Sequence, residues 1–139
     1  MCYNVAYIEK RVEKYTARYS EVIGGQLELE LGTAELPVSY FISGFVHPQL
    51  PLVRHDGIAL HSWGLIPSWV KDEAGAKDIR SKTLNAVGET AFEKPSFRKS
   101  IVAKRGIVGV NGFYEWRDIN KVKYPYFIKA HDEEFTSLG

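Results

Sequence analysis

The 139-residue chain is poorest in sulfur: one cysteine, Cys2, and one methionine, Met1. A single cysteine excludes an intramolecular disulfide and any zinc site built from several cysteines, and it fits a reducing compartment. Long apolar runs are also missing. The first is broken by Glu9, Lys10 and Arg11, so it does not read as a signal peptide, and nothing approaches the roughly 20 apolar residues of a membrane span. Net charge is only +1, so the molecule as a whole does not advertise nucleic acid, though a local basic patch still can. There is no internal repeat and no low-complexity segment. What remains is 45% hydrophobic and 25% charged, the balance of a soluble globular domain or a piece of one, with aromatics plentiful at 13%.

The lone cysteine stands where removal of Met1 would make it the N-terminus. A free N-terminal cysteine carries an amine (pKa about 7.7–8.0) and a thiol (about 8.5) on adjacent carbons, both partly deprotonated near neutrality. Such a 1,2-aminothiol condenses with an aldehyde through nitrogen and closes a thiazolidine through sulfur. It can also act as a nucleophile with its own amine as base. Position alone equally allows a small residue at a frayed end.

Residues 3–7 read as a strand. Ile8, Val12, Tyr15 and Tyr19 recur at helical spacing, and Gly24-Gly25 ends that pattern. Residues 26–35, with Leu27, Leu29 and Leu31, read as an irregular connection. Pro37 to Pro51 has strand character. Leu50–Arg54 and Ile58–Trp63 around Asp56-Gly57 predict a β-hairpin. Trp63-Gly64-Leu65-Ile66-Pro67-Ser68-Trp69 is barred from regular structure by Gly64 and Pro67. Residues 70–82 read as a charged, exposed stretch, and Phe92–Phe97 as a short helix broken near Pro95. Ile101–Val110 is a β-rich run leading into Asn111–Trp116. A loop with Asp118 and Asn120 follows, then a strand at Tyr124–Ala130 and a last one near Phe135–Leu138. Strands outnumber helices and hairpins join them, which predicts an α+β, mostly antiparallel, barrel-like fold with a few short helices. The alternating Phe135–Leu138 pattern stops at Gly139. The reading is therefore that residues 1–139 are the N-terminal portion of a single domain, incomplete at the C-terminus.

Four motifs, Met1-Cys2, Trp63–Trp69, Asn85-Ala86 with Glu89-Thr90, and Gly112-Phe113-Tyr114-Glu115-Trp116, occur in the order and spacing of one family. In them the chain resembles the SOS-response-associated peptidase (SRAP) family, over essentially its whole length from Cys2. The resemblance implies capture of abasic sites in single-stranded DNA. The cysteine amine forms a Schiff base with the ring-opened sugar, and the thiol closes it to a thiazolidine. It also implies release of the residue ahead of the cysteine, no cofactor, no metal, no membrane partner, and a cytoplasmic location, at the nucleoid in a bacterium. Carried over by position, Cys2 matches the nucleophile, Glu115 the acid/base carboxylate and Asn85 the active-site amide. Trp69 lies in the loop that runs beside DNA. Arg98 and Lys99, within the basic run Lys94 to Arg105, are candidate phosphate contacts. Trp63 and Trp116 are expected in the core.

The chain departs from the family in places. Asn4 stands where an arginine usually helps hold DNA, and is retained as a DNA-contact candidate by position. Val87 replaces a second phosphate-binding arginine, which should weaken DNA affinity. A later His-x-Arg-Met-Pro motif that assists proton transfer is absent, and His47, His55, His61 and His131 have no motif to claim them. Two rival readings stay open: a thiol peptidase using Cys2 and Glu115, and a non-catalytic module binding single-stranded DNA.

Overall fold

The computed structural model describes residues 3–7, 14, 17–20, 38–131 and 135–139. Among these the strands form two four-stranded antiparallel sheets. The first has the order β2-β1-β6-β7, from β1 (Asn4–Tyr7), β2 (Ser39–Ser43), β6 (Gly112–Ile119) and β7 (Val122–Ile128). The second runs β4-β3-β5-β8, from β3 (Gln49–Arg54), β4 (Gly57–Ser62), β5 (Ile107–Val110) and β8 (Thr136–Leu138). The expected antiparallel α+β architecture is present, but as two separate sheets, not one closed barrel.

The core lies between the sheets. Val5, Tyr7 and Ile42 from the first meet Leu50, Val53, Ile58 and Val110 from the second, with Tyr19 and Phe135 completing the cluster. Non-directional burial of this kind supplies most of the stabilisation, about 1.5–3 kcal/mol for each large apolar side chain taken fully out of water. The helix expected from Ile8 is described only at residue 14 and residues 17–20, which are helical. Its Tyr19 is buried, with its hydroxyl 3.1 Å from Ser137 Oγ. The Leu27–Leu31 stretch lies outside the described residues.

Turn chemistry decides the hairpins. The expected hairpin is present, but Arg54 pairs with Gly57, so the two-residue loop is His55-Asp56, and Gly57, at φ 147°, is the first residue of β4 and not a central turn residue as the Asp-Gly signal predicts. The loop expected around Asp118–Asn120 is much shorter. Strand β6 continues to Ile119, and Asn120 and Lys121, both at positive φ, turn the chain directly into β7. Asp118 Oδ1 accepts the Lys121 N–H at 2.9 Å.

The helices differ most from expectation. Residues 70–82 are exposed or half-buried, and α1 (Glu73–Lys82) is a helix with no buried residue. It offers little apolar periodicity to find. Local polar contacts support it instead: Asp72 Oδ1 accepts the Gly75 N–H at 2.7 Å, and Lys82 meets Asp78 at 2.6 Å one turn away. Helix α2 (Gly88–Ala91) lies before the expected Phe92–Phe97 segment, and Phe92 is exposed. The front of the expected 101–110 strand forms a helical turn, α3 (Ser100–Ala103), with Lys104 N–H donating to Ser100 O at 2.7 Å. No described helix is long and apolar enough to cross a membrane.

Gly112 illustrates how tightly β6 and β7 meet. A Cβ there would stand 2.4 Å from the Phe127 ring and 2.7 Å from Ile128 O. Gly112→Ala should therefore cost about 1–3 kcal/mol through overpacking. Chemical denaturation checks this, and an unchanged midpoint would contradict the packing described.

Candidate active site

The β1–β6 pairing brings the start of the chain to the strand that carries Glu115. Asn4 pairs with Tyr114, Val5 with Phe113 and Ala6 with Gly112. Continuing that register sets Tyr3 across from Glu115. Tyr3 is anchored in turn. Its carbonyl accepts the Gly44 N–H at 2.7 Å, and its ring stacks on Phe45 at 5.3 Å. Cys2, the residue before Tyr3, lies outside the described residues. Glu115 is half-buried and faces Tyr126 across β7. Asn4 is half-buried, between Ser43 on β2 and Tyr114 on β6.

Asn85 sits in the loop between α1 and α2. Its Nδ2 is shielded from solvent and makes no hydrogen bond among the described residues. A buried donor left unsatisfied costs about 1–3 kcal/mol, so such a group calls for a partner, whether a water, an ion or a substrate atom. No hydrogen bond joins Asn85 to Glu115 among the described residues. The structure thus brings Asn4 and Glu115 onto neighbouring strands and leaves Asn85 on a separate loop.

That loop is nevertheless rigidly attached. The hydroxyl of buried Thr83 donates toward Leu65 O at 2.6 Å and Ile79 O at 2.9 Å. The Trp63 indole N–H donates to Leu84 O at 2.8 Å. Trp63 packs against the core, as expected from the sequence, with its ring over Gly44, where a Cβ would stand 3.1 Å away. Gly64 passes under the end of α1 at φ +112°, and a Cβ there would fall 2.6 Å from Arg80 O. So the Trp63–Trp69 loop and the Asn85 loop are bolted to each other.

Trp69 is 55% exposed, as a stacking residue needs to be. It walls an open cavity of about 320 Å³ together with Val70, Lys71, Asp72 and Ile79. Arg98 and Lys99 are exposed and make no ion pair among the described residues. Trp116, expected in the core, is instead 41% exposed. The reason is topological. Strand β1 starts at Asn4, opposite Tyr114, so beyond that point β7, all of whose residues are exposed, is the one strand paired with β6 among the described residues. No group of three or more His, Cys, Asp or Glu that could hold a metal occurs among the described residues.

His47 was missed by the sequence reading. It bonds Trp63 O through Nδ1 at 2.8 Å and Ser81 Oγ through Nε2 at 3.2 Å. Its backbone is left-handed, at φ 51°. A signal did exist. His47 precedes Pro48, which disfavours the right-handed helical region, and histidine is among the few residues enriched in the left-handed one.

Comparison with known proteins points one way. The family model of the SOS response associated peptidase (SRAP) matches residues 8–139. An abasic site processing protein of Bacillus subtilis, YoqW, is 52% identical over 78 residues, 55% of this chain and 33% of that protein. The Gallus gallus abasic site processing protein HMCES is 40% identical over 67 residues, 48% of this chain and 20% of its own length. A crystal structure of a Bacteroides thetaiotaomicron protein superposes with a TM-score of 0.83 at 39% identity, over 98% of this chain and 57% of that one. The matched stretches are thus a third or less of these two curated relatives and a little over half of the solved structure.

The contrast between a clamp and a surface ring is measurable. Thr83→Val should cost about 1–3 kcal/mol, because carbonyls inside the fold lose their donor. Trp69→Ala should stay within about 0.5 kcal/mol, as exposed positions do. Thermal or chemical unfolding of both variants checks the pair, and equal losses would contradict the assignment.

Proposed function

The chain belongs to the SOS response associated peptidase family, and from that premise we propose that it captures abasic sites in single-stranded DNA covalently through Cys2. The observation that carries this reading is the β1–β6 register, whose continuation sets Tyr3, the residue that follows Cys2 in sequence, across from Glu115. The names of YoqW and HMCES, abasic site processing proteins, support the substrate class.

The chemistry closes without an oxidant or a metal. With Met1 removed, the Cys2 amine adds to the aldehyde of the ring-opened sugar and loses water to give an imine. The thiol then adds across the C=N bond. Its sulfur bonds to carbon, its proton passes to nitrogen, and a thiazolidine results. Each stage moves a proton, and Glu115 is the acid/base suited to that by position. Asn85 offers a neutral amide whose unsatisfied Nδ2–H can bond a sugar oxygen. Trp69 can stack on an unpaired base, and Arg98 and Lys99 can meet phosphates. Asn4, on β1 two residues after Cys2 in sequence, would contact the DNA strand as a neutral group. The word peptidase in the family description supports a second activity at the same residues, hydrolysis of the Met1–Cys2 bond.

Intact-mass spectrometry with a single-stranded oligonucleotide bearing one abasic site tests the proposal. The methionine-free protein should gain the mass of the oligonucleotide less one water. Cys2→Ala should give no adduct, and Glu115→Gln should slow its formation by roughly 10²–10⁴-fold. Salt-dependent binding that survives Cys2→Ser with no covalent product would favour the non-catalytic module instead. Turnover of unrelated peptides would favour the thiol peptidase.

A further inference from the structure

His47 lies outside every motif that marks the family, yet it fastens three segments together. Its backbone N–H donates to Gly44 O at 2.9 Å, which closes the 3₁₀ turn after β2. Its ring Nδ1 meets Trp63 O at 2.8 Å, at the end of β4. Its ring Nε2 meets Ser81 Oγ at 3.2 Å, in the last turn of α1. A carbonyl can only accept, so Nδ1 carries the proton, and in the neutral ring Nε2 accepts from the Ser81 hydroxyl. The left-handed backbone at φ 51° is uncommon for a residue with a Cβ, and persists where surrounding contacts demand it.

The bonds form a ring of contacts. His47 holds the Trp63 carbonyl, and the Trp63 indole holds Leu84 O, the carbonyl immediately before Asn85. Ser81 returns from the same segment to His47. Gly64 leaves room for this closure, since a Cβ there would stand 3.1 Å from His47 Nδ1. We propose that His47 is a positioning residue for the abasic-site chemistry, fixing the Asn85 loop through Trp63 so that its amide is presented at a set place. This rests on the function proposed above. His47 touches neither Asn85 nor Glu115 in the described contacts, so its effect is on placement and not on proton transfer. Misplacing a catalytic group by about 1 Å can cost on the order of 10²-fold in rate.

The test separates placement from binding and from folding. His47→Ala should keep its far-ultraviolet circular dichroism and its half-saturating concentration for an undamaged single-stranded oligonucleotide. Adduct formation at saturating abasic oligonucleotide should slow by roughly ten- to a hundredfold. In His47→Asn, Nδ2 overlays the imidazole Nδ1 and the left-handed backbone is tolerated, so the Trp63 bond returns and only the Ser81 bond is lost. It should therefore recover most of the rate and match Ser81→Ala. An adduct rate in His47→Ala equal to wild type overturns the proposal. So does failure of His47→Asn to improve on it, or a loss of DNA binding as large as the loss of rate. Should His47→Ala not fold, His47→Gln decides: its amide can keep the Ser81 bond but loses the Trp63 bond, so it should react roughly ten- to a hundredfold more slowly than His47→Asn, and an equal rate overturns the proposal. If the unsubstituted protein forms no adduct, the proposed function has failed on its own. The positioning role is then read from the ¹H–¹⁵N signals of the Trp63 indole and the Asn85 side-chain amide. Both should shift in His47→Ala or His47→Gln, which lose the Trp63 bond, and unmoved signals overturn it.

Discussion

Trp63 is fixed from every side, and the candidate site is arranged around that fixture. Its backbone N–H donates to Pro48 O at 2.9 Å, its carbonyl meets His47, its indole N–H reaches Leu84 O, and its ring covers Gly44. A large aromatic with a single polar atom suits this task, because the ring fills volume while the N–H finds one partner. The irregular loop that follows has few backbone bonds of its own. It keeps its shape because the residues at its root, Trp63 to Leu65, are tied to the end of α1 through His47 and Thr83.

A second constraint comes from strand pairing. Register in an antiparallel pair fixes which side chains meet, since a slip of one residue would turn every side chain to the other face. Here Val5 and Phe113 are paired, and Val5 is buried in the core between the sheets. The hydrophobic pattern therefore also determines that Glu115 lies at the N-terminal end of β1. Burial at one end of the pair and chemistry at the other are set by the same ladder. Among the described residues the ladder beyond Tyr114 continues on the β7 side, and aromatic residues there, Trp116, Tyr124 and Tyr126, stand exposed.

On the proposed function, Asn4 and Val87 stand at two positions where the resemblance implies phosphate-binding arginines, while Cys2, Asn85 and Glu115 are the residues proposed for the chemistry. Exposed Arg98 and Lys99 supply cations nearby in sequence. Loss of phosphate contacts weakens attachment to DNA broadly without altering the chemistry at the lesion.

The sequence by itself determined the family, the antiparallel class and the presence of a hairpin around Asp56-Gly57. These depend on local chemistry: an Asp-Gly turn signal and motifs kept in order. It did not reveal α1, whose stability comes from a cap and an i,i+4 pair and not from an apolar stripe. It placed Trp116 in the core, because an aromatic in a strand reads as buried until the neighbouring strand is known to end. It passed over His47, whose partners lie 16 and 34 residues away. Only the tertiary structure decided these points, because each turns on contacts between segments distant along the chain, where neither spacing nor composition carries a signal.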